Sequence, residues 1–149
     1  MDEKDQQILR ELQKDGRLSN AELAERVNLS PSPCLRRLRM LEKSGVIEGY
    51  TAIVNQKAYG LPVTVFIQIR LAHHSTDAAR AFERRIQNID EIIDCHLMTG
   101  DTDYLMRVVV ESLEAYEAFI RERIHPIPAV ASINTSFAYG VVKQNRVLP

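Results

Sequence analysis

Ser30-Pro31-Ser32-Pro33-Cys34-Leu35-Arg36-Arg37-Leu38-Arg39-Met40-Leu41-Glu42-Lys43-Ser44-Gly45 is the stretch from which the rest of the chain can be read. Either Ser-Pro pair supplies a helix start: a hydroxyl for orphan backbone donors, then a proline where no N–H is needed. Gly45 supplies the stop. At 100° per residue, Cys34, Leu35, Leu38 and Leu41 share one side. Ser32, Pro33, Arg36, Arg39, Met40 and Lys43 share the other, with Arg37 at its edge. A helix of about 14 residues, apolar behind and cationic in front, suits the major groove of DNA. Its arginines fit phosphates, and a guanidinium fork also matches guanine. The expected DNA-contacting set is Ser30, Ser32, Pro33, Arg36, Arg37, Arg39, Met40 and Lys43.

An isolated basic helix is better explained as a solvated face, so its neighbours matter. Upstream, Ile8, Leu9 and Leu12 form an apolar stripe that ends at Asp15-Gly16. Ser19-Asn20-Ala21-Glu22 is a capping box, in which serine and glutamate each satisfy a backbone donor. It opens a short helix with Leu23, Ala24 and Val27 inward, and Asn28-Leu29-Ser30 makes the turn into the basic helix. Downstream, residues 46–54 alternate in part (Ile47, Gly49, Thr51, Ile53), which predicts a short strand or ribbon. Helix, tight turn, basic helix and ribbon together make a winged helix-turn-helix.

Beyond Gly60 and Pro62 the period changes from helix to strand. Val63, Val65, Ile67, Ile69 and Leu71 alternate with Thr64, Phe66, Gln68 and Arg70. Helices are expected over residues 76–88 (Ala78, Ala79, Phe82 and Ile86 on one side) and 112–124 (Leu113, Tyr116, Phe119, Ile120 and Ile124 inward). Strands are expected over 92–98, 104–110 and 130–138. The order β-α-β-β-α-β is the ferredoxin-like split-βαβ arrangement. The fold class is α+β, with a winged helix-turn-helix over residues 1–52, a linker over 53–61 and the βαββαβ domain over 62–149. Helices on one sheet face leave the other bare, and a second copy of the same sheet is its simplest cover.

Composition limits the alternatives. Lys and Arg number 19 against 20 Asp and Glu, so DNA binding must rest on local charge. The 45% hydrophobic content supports a packed core. The charged start Met1-Asp2-Glu3-Lys4-Asp5 does not read as a signal peptide, and no apolar run nears the roughly 20 residues that cross a bilayer. Cys34 and Cys95 stand alone, as reduced cytosolic thiols do, and Cys34 projects to the apolar side as a buried thiol. A cytoplasmic, nucleoid-associated protein that makes no membrane contact is expected.

Several stretches resemble the Lrp/AsnC family of leucine-responsive and feast/famine regulators. They are Asp5-x-x-Ile8-Leu9, Asp15-Gly16-Arg17, Leu29 through Leu38 of the basic helix, Leu41-Glu42-x-x-Gly45-Val46-Ile47, and Thr99-Gly100-x-x-Asp103-Tyr104. The resemblance runs from Asp2 to about Ala138, and Ser-Pro-Ser-Pro-Cys-Leu-Arg-Arg is its most specific part. It implies an amino-acid-sensing C-terminal domain, dimers formed through the sheets, and rings of dimers, often octamers. It also implies an effector bound between dimers near the turn Thr99, Gly100, Asp101, Thr102, Asp103 and Tyr104. The family varies at its effector contacts, so the ligand's identity does not transfer. The chemistry of the turn is compatible. Gly100 permits close backbone approach, Asp101 or Asp103 suits an ammonium, and turn N–H groups with the Thr99 or Thr102 hydroxyl suit a carboxylate. An ordinary hairpin explains the same residues.

Other chemistries find less support. His73-His74 and Cys95-His96 are adjacent on strands and point to opposite faces, which makes poor chelators, so no metal is expected. No nucleophile motif or phosphate loop is present, and Asp101 with Asp103 lacks a nucleophile or orienting cation nearby, so no catalytic residue and no cofactor are assigned. A sensor module acting on another protein is the remaining alternative, and it gives the cationic helix no task. The expected partners are double-stranded DNA, further copies of the chain and a small amino-acid-like effector. Together these make a transcriptional regulator whose assembly and DNA affinity respond to that effector.

Overall fold

The computed structural model describes residues 1–73, 75–145, 147 and 148. They divide into two compact units, Met1–Ile53 together with the segment from Val142 onward, and Val54–Val141.

The first unit is built on reciprocal caps. Helix α1 (Glu3–Lys14) starts at Asp2, whose carboxylate accepts the Asp5 N–H while the Asp5 carboxylate accepts the Asp2 N–H. Helix α2 (Asn20–Arg26) starts with the Ser19/Glu22 box read from the sequence. Asn28 then adopts φ +52°, a left-handed turn residue that lets the chain reverse into α3 (Pro31–Lys43). Pro31 takes the first position of α3, but the Ser30 side chain makes no capping bond. Ile8, Leu23, Ala24, Val27, Cys34 and Leu41 form the core, with Leu9, Leu12, Leu38 and Ile47 packed around it.

Two expectations fail here. Residues 46–54 form no strand; the segment is irregular, anchored by the Ile47 N–H on the Leu41 carbonyl and the Tyr50 hydroxyl on Glu42. A ribbon needs a second strand to satisfy its backbone, and among the described residues this unit supplies none. Leu35 also departs from the apolar side: it is absent from the core and joins the outward face of α3. It lies 100° beyond Cys34, far enough round to miss α1 and α2.

In the second unit, strands β1 (Val63–Leu71), β2 (Ile92–Leu97), β3 (Tyr104–Val110) and β4 (Val130–Phe137) form one antiparallel sheet in the order β2-β3-β1-β4. Helices α4 (Thr76–Ile86) and α5 (Leu113–Phe119) connect it, and α5 runs into a π-helical turn, Ile120–Ile124. The alternation along β1 places Val65, Ile67, Ile69 and Leu71 in the core with Phe82, Ile86, Tyr104, Met106, Val108, Phe119 and Ile124. Leu113, expected inward, is 60% exposed. As the first residue of α5 it sits before the helix reaches the sheet, and apolar character alone does not bury a residue there.

The other sheet face carries Thr64, Phe66, Gln68 and Arg70 of β1 beside Leu105 and Arg107 of β3 and Ser132, Asn134 and Ser136 of β4. Arg107 pairs with Asp94 of β2 at 2.6 Å on this face. Phe66 remains 39% exposed at its centre.

Candidate functional site

The chain offers two candidate sites, one in each unit. The first is the outward face of α3. Burial of Cys34 and Leu41 fixes the roll of this helix and turns the opposite side to solvent. Ser32, Leu35, Arg36, Arg39, Met40 and Lys43 line a shallow groove of about 360 Å³ along it. Its floor is apolar, with Met40 64% exposed, and its rims are cationic. Arg36, Arg39 and Lys43 make no hydrogen bond or ion pair among the described residues. Ser30 and Pro33 lie at the N-terminal end of the same helix, where the dipole favours an anion although Ser32 alone of the first three helical residues carries a backbone N–H. The Asn20 side chain donates to the Pro31 carbonyl at 2.9 Å and so sets the start of α2 against the start of α3.

Arg37 differs from its neighbours. Its guanidinium lies 2.7 Å from Asp2 and 2.8 Å from Asp5, and its side chain is 28% exposed. The hydrogen bonds it donates to the Asp5 and Asp2 carboxylates push its affinity for the proton still higher. Of the eight residues expected to face DNA, it is the one turned back into the protein.

Cys34 is fully buried, and burial pushes its thiol above the usual range. A buried thiol with a raised pKa is an inert core group.

The second candidate is the turn between β2 and β3. Gly100 has φ +114°, which a side chain rarely tolerates. Four bonds fasten the turn to β1. The Asp103 N–H donates to the Ile69 carbonyl, and the Asp103 carboxylate accepts the Leu71 N–H at 2.7 Å. The Arg70 guanidinium donates twice to the Asp101 carbonyl, at 2.5 and 2.9 Å. A register shift between Arg70 and Leu71 takes this corner out of the regular ladder, and Asp103 supplies an acceptor there.

The six expected turn residues therefore separate. Tyr104 is 3% exposed, its ring tilted 37° against Phe82 and its hydroxyl donating to Glu83 at 2.9 Å. Burial, reinforced by Glu83, pushes its pKa up to about 12. Asp103 is committed to backbone. Thr99, Gly100 and Asp101 are exposed and Thr102 is half-buried, and the Asp101 carboxylate has no partner among the described residues. Arg70 and Glu83 have parts in this site that the sequence did not disclose. The only hint was that Arg70 closes a strand that must pass beside the turn.

His96 lies 3.5 Å from Asp94, and His74 falls outside the described residues. Among the described residues no three metal-ligating side chains come together.

Known proteins share both halves of this arrangement. Residues 1–48 match the winged helix-turn-helix DNA-binding model, and residues 64–148 match the Lrp/AsnC ligand binding domain. This chain belongs to the Lrp/AsnC family. It is 42% identical to the leucine-responsive regulatory protein of Escherichia coli K12 over 148 residues, covering 99% of this chain and 90% of that one. A regulator from Neisseria meningitidis, solved as a complex with L-Met, superposes with a TM-score of 0.95 at 35% identity, covering 100% of this chain and 96% of that one. An AsnC family regulator from Agrobacterium tumefaciens gives 0.94 at 38%, covering 100% and 97%. Members of the Lrp/AsnC family are transcriptional regulators, not enzymes. This one joins a DNA-binding helix-turn-helix to a ligand-binding α+β domain. Among the described residues no helix is long and apolar enough to cross a membrane.

Proposed function

We propose that this regulator reads DNA with the outward face of α3 and senses an α-amino acid at the turn of residues 99–102. The observation that carries the reading is the set of unpaired cations, Arg36, Arg39 and Lys43, around the Leu35/Met40 groove. Arg36 and Arg39 take phosphates or the O6 and N7 of guanine, and Met40 meets apolar base edges. Ser30, Ser32 and Pro33 face the backbone at the helix N-terminus.

At the turn, the Asp101 carboxylate receives the ammonium of the effector. The exposed N–H groups around Gly100 and the Thr99 or Thr102 hydroxyl receive its carboxylate. Asp103 and Tyr104 act from behind, by fixing the turn. The L-Met complex of the similar Neisseria regulator supports an amino acid as the effector class.

The open sheet face pairs with a second copy, and dimers join into a larger even oligomer, an octamer in the simplest ring. Two α3 helices per dimer then meet a pseudo-palindromic site, with half-sites one or two turns of DNA apart. A ring of dimers holds several sites at once and bends the DNA between them. Small changes in assembly therefore become large changes in occupancy. An effector bound between dimers acts through its different affinity for alternative assemblies. The protein works in the cytoplasm, on the nucleoid.

The test is binding to DNA from the protein's own upstream region, titrated in salt, with and without each amino acid, while mass is followed by light scattering. Steep salt dependence and an amino acid that shifts both affinity and mass are expected. Absence of binding at low salt, or a monomer at micromolar concentration, refutes the proposal.

A further inference from the structure

We infer that Arg37 does not read DNA but is a positioning residue that ties the reading helix to the N-terminus of α1. The inference rests on α3 being the DNA-reading helix. Its basis is a closed set of four bonds. Asp2 gives Oδ1 to the Asp5 N–H at 3.0 Å and Oδ2 to Arg37 at 2.7 Å. Asp5 gives Oδ2 to the Asp2 N–H at 2.9 Å and Oδ1 to Arg37 at 2.8 Å. All four carboxylate oxygens are thus engaged, and the guanidinium docks onto a capping box without disturbing it.

The same end of α1 also holds α2. The Lys4 ammonium donates to the Val27 carbonyl at 2.6 Å, where α2 ends. The start of α1 therefore fastens both later helices, one through Lys4 and one through Arg37. Apart from Arg37, the side-chain bond that joins α3 to these helices among the described residues is the one from the Asn20 amide to the Pro31 carbonyl at 2.9 Å, so α3 has few other polar ties to fix its tilt.

Electrostatics argue the same way. Two carboxylates around one guanidinium form a cluster of net negative charge, which repels phosphate. For Arg37 to grip DNA it would have to leave both carboxylates unpaired beside a polyanion. Arg36, the adjacent residue, has no such partner among the described residues and is free to do so.

The experiment uses the full chain and reads two quantities: thermal unfolding without DNA, and the salt slope of binding to the upstream duplex. Arg36→Ala should leave unfolding unchanged and flatten the slope by about 0.9, the loss of one phosphate contact. Arg37→Gln and the pair Asp2→Asn/Asp5→Asn should each lower the unfolding temperature and weaken binding roughly twofold to tenfold, with the slope kept. Combining all three changes should cost no more than either alone, because they break one unit, and Arg37→Lys should recover part of the loss. The inference is overturned by an Arg37→Gln variant that melts like wild type, or one that flattens the slope as Arg36→Ala does. Tighter binding after Asp2→Asn/Asp5→Asn overturns it too, since that result means the acids had been withholding Arg37 from DNA. The unfolding arm needs no DNA, so it judges the tie even if no duplex binds.

Discussion

The outward face of α3 and the turn between β2 and β3 spend their polar residues in opposite ways. On α3 the backbone satisfies itself, and the buried side of the helix fixes its roll. Arg36, Arg39 and Lys43, unpaired among the described residues, are left for a partner. The turn has backbone bonds from the Met98 N–H to the Asp103 carbonyl and from the Asp103 N–H to the Ile69 carbonyl, and side chains supply much of the rest of its support. Asp103 serves Leu71, Tyr104 anchors in the core, and Arg70 holds the Asp101 carbonyl. A conspicuous polar residue is thus more available on a helix than in an irregular turn.

The hardest test of this contrast is removal of the free cations. Arg36→Ala/Arg39→Ala should reduce DNA affinity roughly a hundredfold or more and flatten the salt slope by about two, with unfolding unchanged. Fluorescence anisotropy across a salt series measures both, and a large loss of thermal stability would mean these side chains are structural after all.

Within the turn, the two aspartates should behave oppositely. Asp103→Ala leaves the Leu71 N–H without its acceptor and should destabilise the protein by about 1–3 kcal/mol in urea unfolding. Asp101→Ala should leave stability within about 0.5 kcal/mol and abolish the response to the amino-acid effector. If both variants merely unfold, or neither affects sensing, the division of labour in the turn is wrong.

Tyr104 offers a titration. Its pKa rises from an ordinary 10 to about 12 on folding, so the folded state holds the phenolic proton more tightly. The stability this confers is complete below pH 10 and is lost as pH rises from 10 through 12. Tyr104→Phe should remove its share of that alkaline slope. Unfolding free energy measured across the range, beside tyrosinate absorbance, decides the point; an identical slope in both proteins counts against it.

The smallest effect concerns two serines at helix starts. Ser19→Ala should cost about 1 kcal/mol, because its hydroxyl caps α2. Ser30→Ala should cost less than about 0.5 kcal/mol, because that hydroxyl caps nothing, while still weakening DNA binding. Equal stability losses would mean that Ser30 has a capping role after all.

Much of this molecule was legible in its sequence because local rules and tertiary packing agree. The cap at Ser19, the helix start at Pro31, the turn at Asn28, the alternation along β1 and the positions of the four strands along the chain all depend on residues close together in the sequence. The cationic face of α3 was legible for the same reason, since a helix projects its side chains at a fixed angle. Departures occur where a distant residue decides. Leu35 and Leu113 are apolar but lie outside both cores, and residues 46–54 alternate but find no strand to pair with among the described residues. Arg37 sits with cations in sequence, yet Asp2 and Asp5, more than 30 positions away, claim it. Asp103 and Tyr104 belong to the turn by position and to the core and β1 by contact. Periodicity and capping act over a few residues, so they were enough to set which elements form and which face of each is apolar. Which polar groups remain free is settled by contacts between distant parts of the chain, because a charge is available or engaged according to what the fold sets beside it.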